Sequence, residues 1–181
     1  ADERRRGAVP RVLFYGRPSK PRNLFGLGVA ALHAASELLA AEGILPEFVS
    51  AGEQHPPVPL GAGAVLSSRG RLSWDDYFAF LSSTDVVLSL QQSPHPSHPP
   101  FDAAISAARA VTNDFAGGRG SLHPRIAAAS ATVEGLASAL ADTVRLSLSD
   151  PVGGYEPVAD GLLGHRLSDV VVRAAERLAA G

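Results

Sequence analysis

Cysteine and methionine are both missing from the 181 residues of the sequence. Without cysteine, disulfide bonds and cysteine-ligated zinc sites are excluded, and a small secreted scaffold stapled by disulfides is disfavoured. An open reading frame starts with methionine, but this chain has no methionine at its first residue or at any other position. We therefore expect the chain to be a fragment of a longer protein.

Long apolar runs and an excess of one charge are missing as well. The longest apolar candidate, 24–41, is interrupted by glycine, histidine, serine and glutamate, whereas a membrane span needs about 20 predominantly apolar residues. The basic residues at 4–6 are not followed by the apolar stretch of a secretory signal. We expect no transmembrane segment. The formal net charge of -2 gives no reason to expect a nucleic-acid partner.

The composition is that of a folded domain, with 45% hydrophobic and 19% charged residues. The length fits a single domain. We expect residues 1–10 to form a frayed tail and residues 11–181 to form the domain.

Apolar runs alternate with helical patterns along this domain. The apolar runs that we interpret as buried strands lie at 12–15, 48–49, 64–66, 85–90 and 110–112. The helical patterns follow Asn23, Ser73, Pro100 and Thr132, with a last helix over 167–178, and Asn23, Ser73 and Thr132 are expected helix caps. Proline-rich segments at 56–59 and 93–100 read as loops. The alternation predicts an α/β fold with a doubly wound, Rossmann-like parallel sheet.

Basic residues are concentrated in the loop between the first strand and the first helix. Arg17, Lys20 and Arg22 lie there, and no acidic residue occurs between Arg4 and Ser36. Ligands of open parallel sheets bind beside such loops, and a helix N-terminus adds backbone amides that favour phosphate. The pattern predicts a diphosphate site; the alternative is a solvated basic loop.

The proline-rich segment after the fourth predicted strand carries a second set of polar residues. Ser97 and His98 are candidates for hydrogen bonds to a sugar or phosphate. His95 and His98 resemble a metal pair, but no further ligand pattern completes it, so we expect no metal. Asp102, placed in the first turn of a helix, is either a surface acid that compensates the helix dipole or a carboxylate for ribose hydroxyls.

A glycine string at 26–31 matches the G-x-G-x-x-A dinucleotide fingerprint. That fingerprint must directly follow a strand, whereas this string lies inside a helical pattern. We interpret its glycines as close-packing positions and keep nicotinamide or flavin binding as a minor alternative. Gly117, Gly118 and Gly120 predict a mobile loop. Trp74 and His33 are interpreted as structural residues.

Several of these strings together resemble the donor-binding, C-terminal domain of bacterial rhamnosyltransferases. These enzymes are GT-B-fold glycosyltransferases similar to glycosyltransferase family 4, and the resemblance spans roughly 11–146. The strings that carry it are Phe14-Tyr15-Gly16-Arg17-Pro18, Arg22-Asn23-Leu24-Phe25, 85–90, Ser93-Pro94-His95-Pro96-Ser97, Pro99-Pro100 and Val111-Thr112-Asn113.

The resemblance implies a role for each part of the predicted site. Arg17, Lys20 and Arg22 would grip the diphosphate of a donor such as dTDP-rhamnose, the segment 67–72 would cradle the base, and Asp102 would bind ribose. The full predicted substrate-binding set is Arg17, Lys20, Arg22, Asn23, Ser67, Gly70, Leu72, His95, Ser97, His98 and Asp102. No catalytic residue is identified.

The sequence also departs from the family pattern. Asp102 replaces the usual glutamate and is one methylene shorter, Pro94 stands where the wider family has a second acid, Ala107 stands where glycine is common, and His98 replaces an aromatic phenol. These departures concern the ribose contact and the donor preference.

The predicted function is that of the donor half of a hexosyl- or rhamnosyltransferase acting on a cell-envelope or surface glycan. We expect an N-terminal acceptor-binding domain outside this chain, no activity of the isolated domain, and no cofactor, because the nucleotide-sugar is a substrate. The alternative is a non-catalytic nucleotide- or carbohydrate-recognition module. A cytoplasmic location is expected, with membrane association through the missing part left open.

Overall fold

A computed structural model describes residues 9–94, 97–119 and 122–152, together with Val172 and Glu176. Most of the predicted helix over 167–178 and most of the predicted tail lie outside the described residues. The strands are β1 (Arg11–Gly16), β2 (Glu47–Gly52), β3 (Val58–Pro59), β4 (Val65–Ser68), β5 (Val86–Ser89), β6 (Arg109–Asn113) and β7 (Ile126–Ala129). The α-helices are α1 (Phe25–Ala40), α2 (Trp74–Leu81), α3 (His98–Ile105) and α4 (Val133–Ser149), and 3-10 turns span Pro21–Asn23 and Gly61–Gly63.

In the described part of the chain the strands form one sheet in the order β3-β4-β2-β1-β5-β6-β7. Every neighbouring pair is parallel except β3 with β4. With the short antiparallel edge strand left aside, the chain moves outward from β1 in one direction and then, from β5, in the other. This order is doubly wound and Rossmann-like, with its topological switch point between β1 and β5.

Helices cover both faces of the sheet, as the uninterrupted apolar runs predict. Because successive side chains of a strand point to opposite faces, Phe14 packs with α1 and α4, whereas its neighbour Leu13 packs with α2 and α3. Leu88 and Val87 of β5 divide in the same way. The predicted fold class is therefore confirmed.

Two of the three predicted helix caps are confirmed. Ser73 Oγ accepts a hydrogen bond from the Asp76 amide at 3.1 Å, and Thr132 Oγ1 accepts one from Gly135 at 3.1 Å. The prediction of Asn23 as a helix cap is wrong, because Leu24 occupies the N-cap position of α1, where no side-chain hydrogen bond caps the helix. Asn23 instead ends the preceding 3-10 turn, and its side chain contacts the segment that follows β5.

Two strands were missed and one helix start was misplaced. The segment 56–59, predicted as a loop, contributes β3, where proline is tolerated because an edge strand needs fewer amide donors. The strand β7 is mostly alanine, which has a low strand propensity. The helix α3 begins at His98, so Pro99 and Pro100 lie in its first turn and Asp102 lies in its second.

The turn and helix over Pro21–Ala40 have a mean hydropathy of 1.3, which by length and composition would suffice for a membrane span. The polar and glycine residues that interrupt this apolar stretch are thus a weak argument against a membrane span. The packing gives the stronger one, because Ala31, Leu32, Ala35 and Leu39 of α1 are buried in the core shared with α4.

The glycine string lies inside α1 and does not form the turn that directly follows β1. The close-packing interpretation holds for Gly28, since a Cβ there would lie 2.3 Å from Cζ of the buried Phe14 ring. It does not hold for Gly26, around which a Cβ would meet nothing within 4 Å.

These two glycines form a matched pair for a stability test. Gly28→Ala should lower the free energy of unfolding by about 1–3 kcal/mol, because the added methyl overpacks against Phe14. Gly26→Ala should leave it unchanged or raise it by up to about 1 kcal/mol, because alanine favours helix. Urea denaturation of both variants checks this, and equal effects at the two positions would contradict the close-packing interpretation.

Candidate functional site

A cavity of about 1040 Å³ opens at the carboxyl ends of the central strands. Its walls come from the segments that follow β1, β2 and β5 and from those that begin α2 and α3. The lining residues are Tyr15, Arg17, Ser19, Lys20, Arg22, Asn23, Ala51, Gly52, Glu53, Gln54, Arg71, Leu72, Ser73, Trp74, Tyr77, Gln91, Ser93, Ser97, His98, Pro99 and Asp102. The cavity therefore lies at the switch point between β1 and β5, where open α/β sheets bind ligands.

Basic side chains dominate the charge of this cavity. The structure brings Arg17, Lys20 and Arg22 into one wall, as the sequence predicts, and adds Arg71 from the segment before α2. Sequence reasoning missed Arg71, although its place between β4 and a capped helix start was a usable signal. Against these four cations, the lining contains the carboxylates Glu53 and Asp102. An anion such as a diphosphate is the ligand class that this balance favours.

The basic loop after β1 is a series of tight turns. Backbone hydrogen bonds run from Lys20 N–H to the Arg17 carbonyl and from Asn23 N–H to the Lys20 carbonyl, both at 2.9 Å. The Ser19 amide points across to β2 and donates to Glu53 Oε2 at 2.9 Å. That hydrogen bond, with the charges of Arg17 and Lys20, lowers the pKa of the Glu53 carboxyl from its usual value.

Asn23 ties the basic loop to the segment after β5. Its side chain is only 4% exposed, and Nδ2 donates to Gln91 Oε1 at 3.0 Å and more weakly to the Leu90 carbonyl at 3.5 Å. The Gln92 amide donates in return to the Arg22 carbonyl at 2.7 Å. Asn23 Oδ1 is buried without a hydrogen-bond partner among the described residues. The residue therefore serves first to join two walls of the cavity.

Arg119 also contacts the segment that follows β5. Its side chain is 2% exposed, and its guanidinium donates to the Asn113 carbonyl at 2.9 Å, to the Gln91 carbonyl at 3.0 Å and to the Ser93 carbonyl. Burial lowers the pKa of this guanidinium, while the charge of Asp114 raises it, and an arginine stays protonated throughout.

The glycine-rich segment around Arg119 was predicted to be mobile. The structure gives its described part fixed hydrogen bonds, since Asp114 accepts from the amides of Gly117 at 2.8 Å and Arg119 at 3.0 Å. Gly120 lies outside the described residues. Sequence reasoning missed Arg119, because nothing local signals that its side chain contacts residues 28 positions away.

Asp102 is a partly buried carboxylate that faces the cavity, so its interpretation as a first-turn surface acid is wrong. Tyr77 Oη, from α2, donates to Asp102 Oδ2 at 3.5 Å. Burial raises the pKa of Asp102 to about 6, against the lowering effects of the His98 charge and the Tyr77 hydrogen bond. Burial also raises the pKa of Tyr77.

Trp74, interpreted from the sequence as a packing residue, is 73% exposed at the rim of the cavity. The Phe78 ring stacks against the indole, with centroids 6.1 Å apart and an interplanar angle of 17°. One face of the indole is therefore backed by Phe78. Position 74 is also one helical turn before Tyr77, so both aromatic side chains lie on the cavity side of α2.

The remaining predicted residues divide into those that line the cavity and those that do not. Leu72, Ser97 and His98 line it, and Ser97 occupies the cap position of α3 without a capping hydrogen bond from its side chain. Ser67 is exposed on β4, and the buried Gly70 lies behind Gln54, so neither belongs to the described lining. His95 lies outside the described residues, and the predicted absence of a metal site stays a prediction.

Ala107 explains one departure from the family pattern. Its φ of 62° lies in the left-handed region, which favours glycine because glycine lacks a Cβ. The backbone after α3 thus keeps a glycine-like conformation with alanine in its place.

Asp102→Asn should stabilise the domain in a pH-dependent way. Because folding raises the Asp102 pKa from 3.8 to about 6, the ionised carboxylate costs stability that is absent below pH 3.8, grows up to about pH 6 and is constant above. Allowing for solvent screening at this partly exposed side chain, asparagine should add about 1–2 kcal/mol to the free energy of unfolding at pH 8. Urea denaturation at pH 8 and pH 4 measures the difference, and an equal gain at both would contradict it.

Comparisons with known proteins bear on the family and the fold of this chain. The family model "WsaF, C-terminal domain" matches residues 10–141. The O-antigen biosynthesis protein RfbC of Myxococcus xanthus is 36% identical over 110 residues, which are 61% of this chain and 8% of RfbC. The apo structure of OtsA matches with a TM-score of 0.63 at 12% identity, over 80% of this chain and 38% of that one.

The comparisons carry different weight. At 12% identity the likeness to OtsA shows the fold alone, which is the Rossmann-like α/β fold described above. The chain spans a small part of RfbC, so the RfbC name describes a much longer protein. The family match covers most of the present chain, from the residue before β1 into α4. This chain therefore belongs to the WsaF C-terminal domain family.

Proposed function

We propose that this domain binds the nucleotide-sugar donor of a glycosyltransferase, dTDP-rhamnose or a similar sugar, for transfer to a cell-envelope or surface glycan. The observation that carries the proposal is the cavity at the β1/β5 switch point with Arg17, Lys20, Arg22 and Arg71 in its lining. A nucleoside diphosphate is the common ligand chemistry that needs clustered cations beside polar and aromatic side chains.

In this proposal the basic loop holds the diphosphate and stabilises it as it leaves the sugar. Charge accumulates on the phosphate oxygens as the glycosidic bond to the sugar breaks, so fixed cations bind the transition state better than the ground state. The guanidinium groups of Arg17 and Arg22 add paired donors that match phosphate geometry, and Lys20 adds a point charge.

The other walls would hold the nucleoside and the sugar. Asp102, oriented by Tyr77, accepts a hydrogen bond from a free hydroxyl of the ribose, or of the deoxyribose in dTDP, and Trp74 offers its indole face to the base. Leu72 extends the base contact, while Ser67 and Gly70 lie outside the lining and are assigned to the base by the family resemblance alone. Ser97 and His98, and His95 beside them in sequence, are the proposed partners of the sugar or phosphate.

The proposal includes a larger enzyme around this domain. The RfbC relative is named for O-antigen biosynthesis, and a GT-B enzyme closes two domains over its donor; an N-terminal acceptor-binding domain would therefore complete the site. The isolated domain would bind donor without transferring sugar, with no metal or cofactor, in the cytoplasm where activated sugars are made.

A non-catalytic recognition module is the second candidate. The shorter Asp102 side chain and its raised pKa, about 6, favour it, because a partly protonated carboxyl is a weaker acceptor for ribose. Sugar transfer by the full-length protein from a nucleotide-sugar would exclude this candidate.

Charge reversal in the basic loop tests the proposal directly. Arg22→Glu should weaken the affinity for dTDP or UDP by about 10–100-fold at low ionic strength, because a charged hydrogen bond to phosphate becomes a repulsion. Arg69→Glu is the matched control: it makes the same charge change at an exposed residue outside the cavity lining. Calorimetric titration with dTDP, UDP, GDP and NAD measures both, and unchanged affinity in Arg22→Glu would overturn the diphosphate assignment.

Intrinsic fluorescence tests the base contact. Trp74 is the one tryptophan of the chain, so the indole signal reports on this cavity. Titration with dTDP should quench it, whereas inorganic pyrophosphate, which lacks a base, should not. Trp74→Ala should weaken dTDP binding by about 10-fold, in line with about 1–3 kcal/mol per stacked base, and leave pyrophosphate binding unchanged. Equal loss for both ligands would contradict base stacking.

A further inference from the structure

Glu53 is the acidic residue of the cavity that the proposed function does not use. It is the first residue after β2, and its carboxylate accepts the Ser19 amide hydrogen at 2.9 Å. Ser19 lies in the middle of the basic loop, between Arg17 and Lys20, and all four side chains line the cavity. A negative charge of the protein itself therefore lies in the wall that carries the cations.

The electrostatics of Glu53 are those of an anion in an anion site. The largest influence on its carboxyl is the hydrogen bond from the Ser19 backbone, followed by one from the Ser19 side chain, and the charges of Arg17 and Lys20 act in the same direction. All of these lower the Glu53 pKa, so the carboxylate stays ionised near neutral pH. Backbone amides and paired cations are also what a phosphate oxygen seeks.

The backbone conformation of Gly52 brings Glu53 close to the basic loop. Gly52 has a φ of 119°, and a Cβ at this position would lie 3.0 Å from both Arg17 Cγ and the Gly16 carbonyl oxygen. Only glycine lets the end of β2 pass so close to the end of β1. Because of this contact, the residue after Gly52 comes within hydrogen-bond distance of the basic loop.

We propose that Glu53 is a built-in competitor for the diphosphate: its carboxylate takes the place on the Ser19 amide that a phosphate oxygen takes when ligand binds. Glu53 must then swing away on binding, because one N–H cannot serve two anions and the two charges repel. The contact tunes affinity for the whole ligand class, and it leaves the basic loop partly neutralised until a dianion displaces the carboxylate. The inference rests on the proposed diphosphate site.

The test uses inorganic pyrophosphate as the probe, titrated by calorimetry at low ionic strength. Glu53→Gln keeps an acceptor oxygen for Ser19 and removes only the charge. It should bind pyrophosphate about 3–10-fold more tightly than the wild type, and the gain should shrink as salt is added. Asp75→Asn is the control, since Asp75 is an exposed carboxylate beside Trp74 outside the cavity lining; its affinity should stay within about twofold of the wild type.

Each outcome decides between named alternatives. Unchanged or weaker binding by Glu53→Gln overturns the competitor role and makes Glu53 a support of the loop. An equal gain in Asp75→Asn also overturns it, since general electrostatics would then suffice. If the wild type binds pyrophosphate and Arg22→Glu does not, the proposed function survives either result. If neither the wild type nor Glu53→Gln binds, the diphosphate site and this inference fall together.

Discussion

The reversal of chain direction between β1 and β5 is the constraint on which the site depends. Crossovers between parallel strands are right-handed, so a chain that leaves β1 toward β2 and later leaves β5 toward β6 places α1 on one face and α3 on the other. The two connecting loops must diverge, and the crevice between them is a result of topology before any side chain is considered. The position of the basic loop, which follows β1, is determined by this reversal.

A crevice formed in this way needs polar side chains that hold its walls together. Asn23 and Arg119 both donate hydrogen bonds to Gln91 after β5. Asn23 bonds to the Gln91 side chain, and Arg119 bonds to the Gln91 carbonyl. Because their partners are mainly neutral oxygens, this bracing adds no carboxylate to the wall. Glu53 is thus the carboxylate whose charge interacts with Arg17 and Lys20.

The sequence predicts what depends on local pattern. Buried strands, the caps Ser73 and Thr132, and the basic loop all follow from apolar runs, helix-start residues and charge. What it could not predict depends on distant partners: the bonds of Asn23 and Arg119, the burial of Asp102 against Tyr77, and the edge strand β3. The exposure of Trp74 at the rim of the cavity could not be predicted either, because an aromatic residue at a helix start is equally compatible with burial.

The use of lysine in this chain has a consequence for its chemistry. Lys20 is the one lysine of the sequence, every other basic residue being arginine or histidine, and it is exposed in the wall of the cavity. An acylating or aldehyde reagent that attacks primary amines would find its single side-chain target in the basic loop. Covalent capture of this cavity, by a probe tethered through one imine or amide bond, therefore needs no engineered residue.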